Sequence, residues 1–474
     1  MSDPFVIIGG DAAGLSAASK LKREDPDRET IVLERGKWVS YAHCGMPYYV
    51  KGDIGSITKL LSLSPEAISE RNIDLRRGHE VTAVDPDART VRVRTETDQY
   101  TLPYGDLLIA TGAHAISDPI EGADLEGAFT MHGMDAAAAL RAFLTPPEEI
   151  DPETVDDEYV DRDRVETYAN REPPESVAVI GGGYVGIEMV EAFQAHDLDV
   201  HLFHKYDGVL MPFGEAVGDR VNETLREHGV RLHLETEVHE IVGDERVEGV
   251  IADDGRTSVD VALVGIGIQP NTEIVEETDI ECGDSGAIAT DEFGRTNREH
   301  VYAAGDCAEM RHAVTGEPAW VPLGLTANRA GRAIGQTVAG DPTPVGDIVG
   351  TAAVKAFEME CARTGTIDLE RARDAGFDPV RETVTASSRS GYYPGAAETT
   401  VTLVADRGTG RLLGGTIVGS DRAAIRIDTL ATAIEGGMTV GEMERLDLAY
   451  APPFSPVWDP VLVAAKVLNG SLDD

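Results

Sequence analysis

Phe5-Val6-Ile7-Ile8-Gly9-Gly10-Asp11-Ala12-Ala13-Gly14 carries an apolar run through glycine into a helix that Leu15, Ala17, Ala18 and Leu21 continue. Beyond it the strand Ile31-Val32-Leu33 ends on Glu34. Strand, glycine turn, helix, strand and acid form a dinucleotide-binding unit. The turn lets backbone approach a pyrophosphate, the helix N-terminus offers N–H groups, and the acid accepts ribose hydroxyls. Asp11 departs from the pattern by standing where a second glycine is usual. A second unit begins at Val177-Ala178-Val179-Ile180 and runs through Gly181-Gly182-Gly183-Tyr184-Val185-Gly186, a helix from Ile187 to His196 and a strand from Asp199 to Phe203. Two units imply two dinucleotides on one chain. The second strand ends on His204 and Lys205; losing the acid and gaining a cation favours a 2′-phosphate, so NADPH is expected there.

Two further apolar strands end in short turns, Leu107 to Ala110 into Thr111-Gly112 and Val301 to Ala304 into Gly305-Asp306. An Asp at the carboxyl end of a buried strand can accept hydrogen bonds from a polyol such as ribitol. After Gly340-Asp341-Pro342-Thr343-Pro344 the glycine fingerprints stop. Strands at Thr399 to Val404 and Leu412 to Val418, with a helix at Ala423 to Glu435, read as a third, α+β domain. The charged, proline-bearing stretch 146–174 has no apolar period and reads as a solvated acidic loop or linker.

Of 474 residues, 84 are acidic and 41 basic, a formal charge of −43. That balance argues against nucleic acid or an anionic membrane as partner. With 42% apolar residues the chain is expected to fold, and its acidic, lysine-poor composition resembles that of a salt-adapted protein. The four cysteines are scattered and lack a C-x-x-C pair, which excludes a disulfide framework and a zinc site. No 18-residue apolar stretch or basic leader occurs, so a reducing cytoplasm is the expected location.

The motifs GGDAAG with Glu34, Ala110-Thr111-Gly112, GGGYVG, GIGIQPNT (Gly265 to Thr272) and AAGDCAE (Ala303 to Glu309) stand in the order found in FAD-dependent pyridine nucleotide-disulfide oxidoreductases. The chain resembles that family over nearly its whole length, and within it the single-cysteine branch of coenzyme A-disulfide reductases, NADH oxidases and NADH peroxidases. The resemblance implies an α/β fold with two Rossmann-like domains and a C-terminal α+β dimerisation domain. The FAD domain would take residues 1–113 and 287–340, the NAD(P)H domain 114–286 and the dimerisation domain 341–474. It places FAD at Gly9, Gly14, Glu34, Thr111, Gly112 and Asp306. NAD(P)H would lie at Gly181, Gly183, Gly186 and Glu188, with Tyr184 as a gate over the flavin and His204 and Lys205 at the adenosine end.

Cys44 lies in Ser40-Tyr41-Ala42-His43-Cys44-Gly45-Met46-Pro47-Tyr48-Tyr49. The two-cysteine reductases have Cys-x4-Cys here, but Val39 and Tyr49 occupy the spaced positions. The sulfur must therefore cycle through a mixed disulfide with an external thiol or through a sulfenic acid. Both routes need a thiolate, and a position opening a helix predicts a lowered thiol pKa. Cys307 reads as packing, and Cys282 and Cys361 as inert.

Within the branch, Ala42 and Pro47-Tyr48 resemble the coenzyme A-disulfide reductases, although His43 replaces their usual Asn. Ala12 stands where oxidases and peroxidases typically carry a His. Tyr392-Tyr393-Pro394-Gly395 and Tyr450-Ala451-Pro452-Pro453-Phe454 look like the two tyrosine motifs of the reductases. The resemblance thus implies a homodimer that reduces coenzyme A disulfide with NADPH. Tyr392 and Tyr450 of one subunit would protonate the thiolate leaving the other's Cys44. Ser40 and His43 would lie beside the substrate, and Lys20, Lys22 and Arg23 would receive its phosphorylated tail. Two other readings stay open: an oxidase or peroxidase using a Cys44 sulfenic acid, and a flavin-bearing redox sensor or carrier with a protein partner.

Overall fold

The computed structural model describes residues 3–146 and 159–472. Phe5–Ile8 is buried along its whole length and pairs in parallel with Thr30–Glu34 on one side and Asp106–Ile109 on the other. A strand without alternation is one covered on both faces, as parallel sheets require. Val301–Ala303 and Asp74–Arg77 complete the sheet, in the order Val301–Ala303, Asp106–Ile109, Phe5–Ile8, Thr30–Glu34, Asp74–Arg77. The second sheet repeats this arrangement with Ala128–Thr130, Val261–Val264, Ser176–Ile180, Asp199–Phe203 and Arg231–His233, again all parallel.

The two glycine loops share the same backbone close approaches. Gly9 and Gly181 hold φ values of 108° and 111°, and a Cβ on them would lie 2.1 Å from the Ala110 carbonyl oxygen or 2.2 Å from that of Gly265. Gly14 and Gly186 lie in the first turns of the helices Ala12–Glu24 and Tyr184–Gln194. There a Cβ would come within 2.0 and 1.9 Å of the Gly9 and Gly181 oxygens. Only glycine permits this approach of helix to strand, which leaves the helix N-terminus open to a pyrophosphate. A third close contact was not anticipated: helix Gly324–Val338 lays Gly331 and Gly335 against Ala13 and Ala17, where a Cβ would meet their oxygens at 2.0 and 2.3 Å.

Each parallel sheet carries a three-stranded antiparallel sheet, Glu80–Asp85 with Thr90–Arg94 and Gln99–Pro103, and Val238–Val242 with Gly249–Ala252 and Gly255–Thr257. The C-terminal part is an antiparallel sheet ordered Ala352–Ala356, Met359–Gly365, Leu412–Gly419, Glu398–Asp406, Pro379–Ser387. Helices Ile427–Glu435 and Pro460–Ser471 bury Leu430, Ile434, Val461 and Leu468 against it. The molecule is thus α/β, with two Rossmann-type units and a C-terminal α+β unit. Among the described residues no helix is long and apolar enough to cross a membrane.

The acidic stretch departs from expectation. Residues 147–158 lie outside the described residues, but 159–170 are not a solvated loop. Asp161 accepts a hydrogen bond from the Arg164 N–H and caps helix Arg162–Ala169, whose Val165 and Tyr168 are buried. Tyr168 packs 5.0 Å from the Phe129 ring, and Tyr159 lies 5.4 Å from that of Trp38. Val165 and Tyr168 have helical spacing, but two apolar residues among so many charges are too few to register as a period.

Candidate active site

At the first loop, the Gly10 and Gly36 N–H groups donate to Glu34 Oε2 and Oε1 at 2.9 and 2.7 Å, which fixes the carboxylate at the strand end. Asp11, in place of the second glycine, does something the sequence reading missed. Its Oδ1 accepts the Tyr41 N–H at 3.0 Å and its Oδ2 lies 2.7 Å from His43 Nε2, so the loop is tied to the segment bearing Cys44. The signal was the departure from glycine together with a histidine next to the cysteine. Ser40 is buried at φ 51° and donates its N–H to the Gly10 oxygen. Thr111 Oγ1 donates to the Asn271 oxygen at 2.6 Å, and Asn271 Nδ2 donates back to the Thr111 oxygen at 2.8 Å, joining the ATG turn to GIGIQPNT. Gly112 supplies a φ of 71°. Burial pushes the Asp306 carboxyl up, with His43 opposing. That carboxyl has no hydrogen-bond partner among the described residues, which leaves it available to a polyol.

The second loop repeats the device with different chemistry. The Gly182 N–H donates to His204 Nδ1 at 3.1 Å, the place Glu34 takes in the first unit. Burial pushes His204 below the usual histidine range. With Nδ1 accepting, the ring is neutral and its proton sits on Nε2, which is buried without a partner. An orphaned donor at the ribose end fits a dinucleotide. The positive charge there belongs to Lys205, exposed and 5.2 Å from the Tyr206 ring centre. Gly183 is the N-cap of the helix that Tyr184 opens.

Cys44 is exposed in the 3-10 turn His43–Gly45, ahead of helix Met46–Lys51. One turn on, Tyr48 donates its hydroxyl hydrogen to Glu188 Oε1 at 2.9 Å. Glu188 is one turn past Tyr184, so the Cys44 helix meets the second glycine-loop helix face to face. Although the residue as a whole is exposed, partial burial of its sulfur, then Glu188 and Asp306, push the Cys44 thiol above its ordinary value against a backbone hydrogen bond that lowers it. The protein's own groups oppose the expected lowering: the helix begins two residues after the sulfur and spans only 46–51, and the charged groups acting on the thiol are carboxylates. Burial also raises Glu188 and Tyr48, so the tyrosine holds its proton and shares it with the carboxylate.

Other candidates lie elsewhere. Lys20 is buried and ion-paired with Glu24, while Lys22 donates to the Pro26 and Arg28 oxygens at 2.8 and 2.7 Å. Arg23 is the exposed member of that trio. Tyr392 and Tyr450 are 81% and 62% exposed on the C-terminal unit. Tyr450 lines a cavity of about 250 Å³ with Arg422, Phe454 and Asp459, to which the Cys44 segment contributes nothing. Cys307 is fully buried with its sulfur 3.4 Å from the Ile109 and Ala304 oxygens, Cys361 is buried in the hydrophobic core, and Cys282 is exposed.

Two glycine cradles, an unpartnered half-buried carboxyl beside the first and an orphaned imidazole donor beside the second fit two dinucleotides. Residues 3–322 match the pyridine nucleotide-disulphide oxidoreductase family, and residues 351–460 match its dimerisation domain. The chain belongs to the pyridine nucleotide-disulphide oxidoreductases. It is accordingly an NAD(P)H oxidoreductase with FAD as its flavin. This family member is 39% identical over 471 residues to a protein of Pyrococcus horikoshii named NAD(P)H coenzyme A polysulfide/persulfide reductase, with 99% of each chain covered. It is 26% identical over 456 residues to a coenzyme A disulfide reductase of Staphylococcus aureus, covering 95% of this chain and 96% of that one. The structure of an NAD-dependent persulfide reductase from A. fulgidus superposes with a TM-score of 0.90 at 33% identity, covering 99% of this chain and 84% of that one.

Proposed function

We propose that this oxidoreductase uses NADPH to reduce a low-molecular-weight sulfur substrate carried on coenzyme A, a disulfide or persulfide, through Cys44. The observation that carries the reading is the solitary sulfur. Cys44 is exposed just ahead of the helix Met46–Lys51, which meets the second glycine-loop helix through Tyr48 and Glu188, while Val39 and Tyr49 take the positions of a partner cysteine. The oxidising equivalent must therefore come from outside the chain, and the names of similar proteins point to coenzyme A. FAD, when bound, would supply two-electron transfer from NAD(P)H; with two electrons and two protons a Cys44–coenzyme A mixed disulfide gives back the Cys44 thiol and one free coenzyme A thiol.

Attack needs the Cys44 thiolate, and partial burial of the sulfur with Glu188 and Asp306 nearby raises the thiol and works against its deprotonation. Exposed Ile425, Tyr450, Phe454, Val457 and Trp458 form an apolar surface on the C-terminal unit, consistent with a homodimer. In that dimer Tyr392 and Tyr450 of one subunit would protonate the leaving thiolate at the other's Cys44. Four unpaired cysteines suit a reducing cytoplasm.

The test is an anaerobic panel following NADPH oxidation with coenzyme A disulfide, coenzyme A persulfide, other disulfides, polysulfide and peroxide. Fastest turnover with a coenzyme A-linked sulfur supports the proposal. Faster turnover with peroxide, and a sulfenic acid trapped on Cys44, would make the protein an oxidase or peroxidase. Silence with every acceptor would make it a carrier.

Both substrates are polyanions and the chain carries −43. Screening that field should raise turnover as salt increases; a steady fall from the lowest salt, with circular dichroism unchanged, would contradict it. At the second loop, Lys205 would hold the 2′-phosphate. Lys205→Ala is expected to raise KM for NADPH roughly tenfold, the loss of one charge-assisted hydrogen bond, and to leave KM for NADH within about twofold. Equal changes for both coenzymes would remove Lys205 from coenzyme choice.

A further inference from the structure

We infer that Arg363 latches Tyr184 in a closed position and so sets how readily NAD(P)H enters, an inference that rests on the proposed reading of the two dinucleotide sites. Tyr184 is the first residue of its helix, directly after Gly183, and Glu188 follows on the same face. Glu188 accepts the hydroxyl of Tyr48, which belongs to the helix beside Cys44. The same face carries Glu191, bonded to Lys51 and Lys355, so it looks toward both the Cys44 helix and the C-terminal sheet, and on the proposed reading a coenzyme held by the second loop would approach the flavin site past Tyr184.

Tyr184 is held on two sides. Its ring meets Phe213 edge-on, centroids 5.2 Å apart and planes at 61°. Its hydroxyl accepts a hydrogen bond from Arg363 Nε at 3.0 Å. Arg363 belongs to neither dinucleotide unit; it lies on strand Met359–Gly365 of the C-terminal sheet. Its guanidinium also stands 5.8 Å over the Phe213 ring and donates to the Pro212 oxygen at 3.5 Å. The turn carrying these two residues is fixed in its own right, because the Leu210 N–H donates to the Gly182 oxygen at 2.8 Å.

Arg363 has little else to do. Its cross-strand row runs through Thr416, Thr402 and Thr383, none of them charged. Among the described residues no carboxylate forms an ion pair with it, although acids outnumber bases twofold in the chain. A cavity of about 550 Å³, lined by Phe213, Arg363, Thr383 and Thr402 among others, adjoins the pair and gives the side chain room to swing away. Arg363 is thus a positioning residue, through which the C-terminal unit acts on the second glycine-loop helix.

If Tyr184 must move before coenzyme binds, the apparent Kd equals the intrinsic Kd divided by the open fraction. Removing the latch then tightens apparent binding by the worth of one hydrogen bond, about 3- to 10-fold. The experiment is anaerobic stopped-flow reduction of the FAD-loaded enzyme by NADPH, in wild type, Arg363→Met, Tyr184→Phe and the double variant. Each single variant is expected to lower apparent Kd by about 3- to 10-fold, and the double variant by no more than either. Arg363→Met should keep the limiting rate of reduction within about twofold of wild type. Unchanged or weaker binding in a flavin-replete Arg363→Met, or additive effects in the double variant, overturns the latch. Tyr184→Phe sits on a different element and decides the matter if Arg363→Met does not fold. A wild-type flavin that neither NADPH nor NADH reduces would remove the proposed function and the latch together, whereas normal reduction with one Kd in all four proteins removes the latch alone.

Discussion

Cys44→Ser is expected to lower NADPH-dependent reduction of any disulfide or persulfide by on the order of 10⁴-fold while leaving reduction of the bound flavin by NADPH within about threefold. A nucleophile that forms a covalent intermediate is not replaced by its neighbours, and a serine hydroxyl does not open a disulfide. The other sulfurs offer no rescue: Cys307 is fully buried against the Ile109 and Ala304 oxygens, Cys361 is in the hydrophobic core, and Cys282 lies on the 280–288 turn. Flavin reduction should survive because the serine is close in size and the groups around the turn remain. The Ala42 oxygen still accepts the Gly45 N–H, and Tyr48 still donates to Glu188. Stopped-flow reduction and steady-state turnover on one preparation separate the two half-reactions. Turnover within tenfold of wild type would take Cys44 out of the chemistry, and loss of both half-reactions would show a role in holding the flavin.

The two dinucleotide units were legible because their constraint is local. A glycine at which any Cβ would meet a backbone oxygen at about 2 Å, as at Gly9, Gly14, Gly181 and Gly186, leaves a mark that spacing alone reveals. What escaped depends on contacts between distant parts of the chain. Nothing near Cys44 in sequence announces that Glu188, 144 positions later, stands against it and helps reverse the expected pKa shift. Arg363 is one arginine among 33, and only the fold brings it to Tyr184. Gly331 and Gly335 sit four apart in an ordinary helix, and their use emerges only when Ala13 and Ala17 come to lie against them. The sequence shows His204 in place of the acid and Lys205 as the cation, but not that the His204 ring takes over the acid's hydrogen bond to the loop. Its hydrogen bond from Gly182 makes it a neutral cap, and the charge falls to Lys205.

Glu191→Ala is expected to destabilise the protein by about 1–2 kcal/mol, since the three hydrogen bonds of the mostly buried carboxylate are lost while Lys355 is exposed and Lys51 keeps Asp53. Glu191 lies two turns into the second glycine-loop helix with only 13% of its side chain exposed. Its Oε1 accepts from Lys51 Nζ at 3.0 Å and from Lys355 Nζ at 2.6 Å, and its Oε2 accepts the Phe357 N–H at 3.0 Å. One carboxylate thus joins the Cys44 helix, the second dinucleotide unit and the edge strand of the C-terminal sheet, and it engages two of the chain's eight lysines. The C-terminal end of the Cys44 helix gains a further tie, since Arg141 donates to the Val50 oxygen at 2.8 Å. Burial alone would raise Glu191, but hydrogen bonds from Lys355 and Lys51 outweigh it and hold the carboxyl below its ordinary value. Hydrogen bonds to Asp53 and Glu191 correspondingly raise Lys51 against its own burial. A carboxyl with a depressed folded pKa adds stability above the unfolded value near ~4.3 and loses it as pH falls through the folded value. The gap between wild type and Glu191→Ala should therefore be full at pH 7 and shrink below about pH 4, which chemical denaturation across that range would measure. Glu191→Gln separates charge from contact, because the amide oxygen can still accept the Phe357 N–H while the attraction to both lysines is lost. If the clamp orients Cys44, Glu191→Gln should lower disulfide turnover more than flavin reduction. A gap that stays constant from pH 7 to pH 3 would assign the effect to packing around residue 191 and not to the ion pairs.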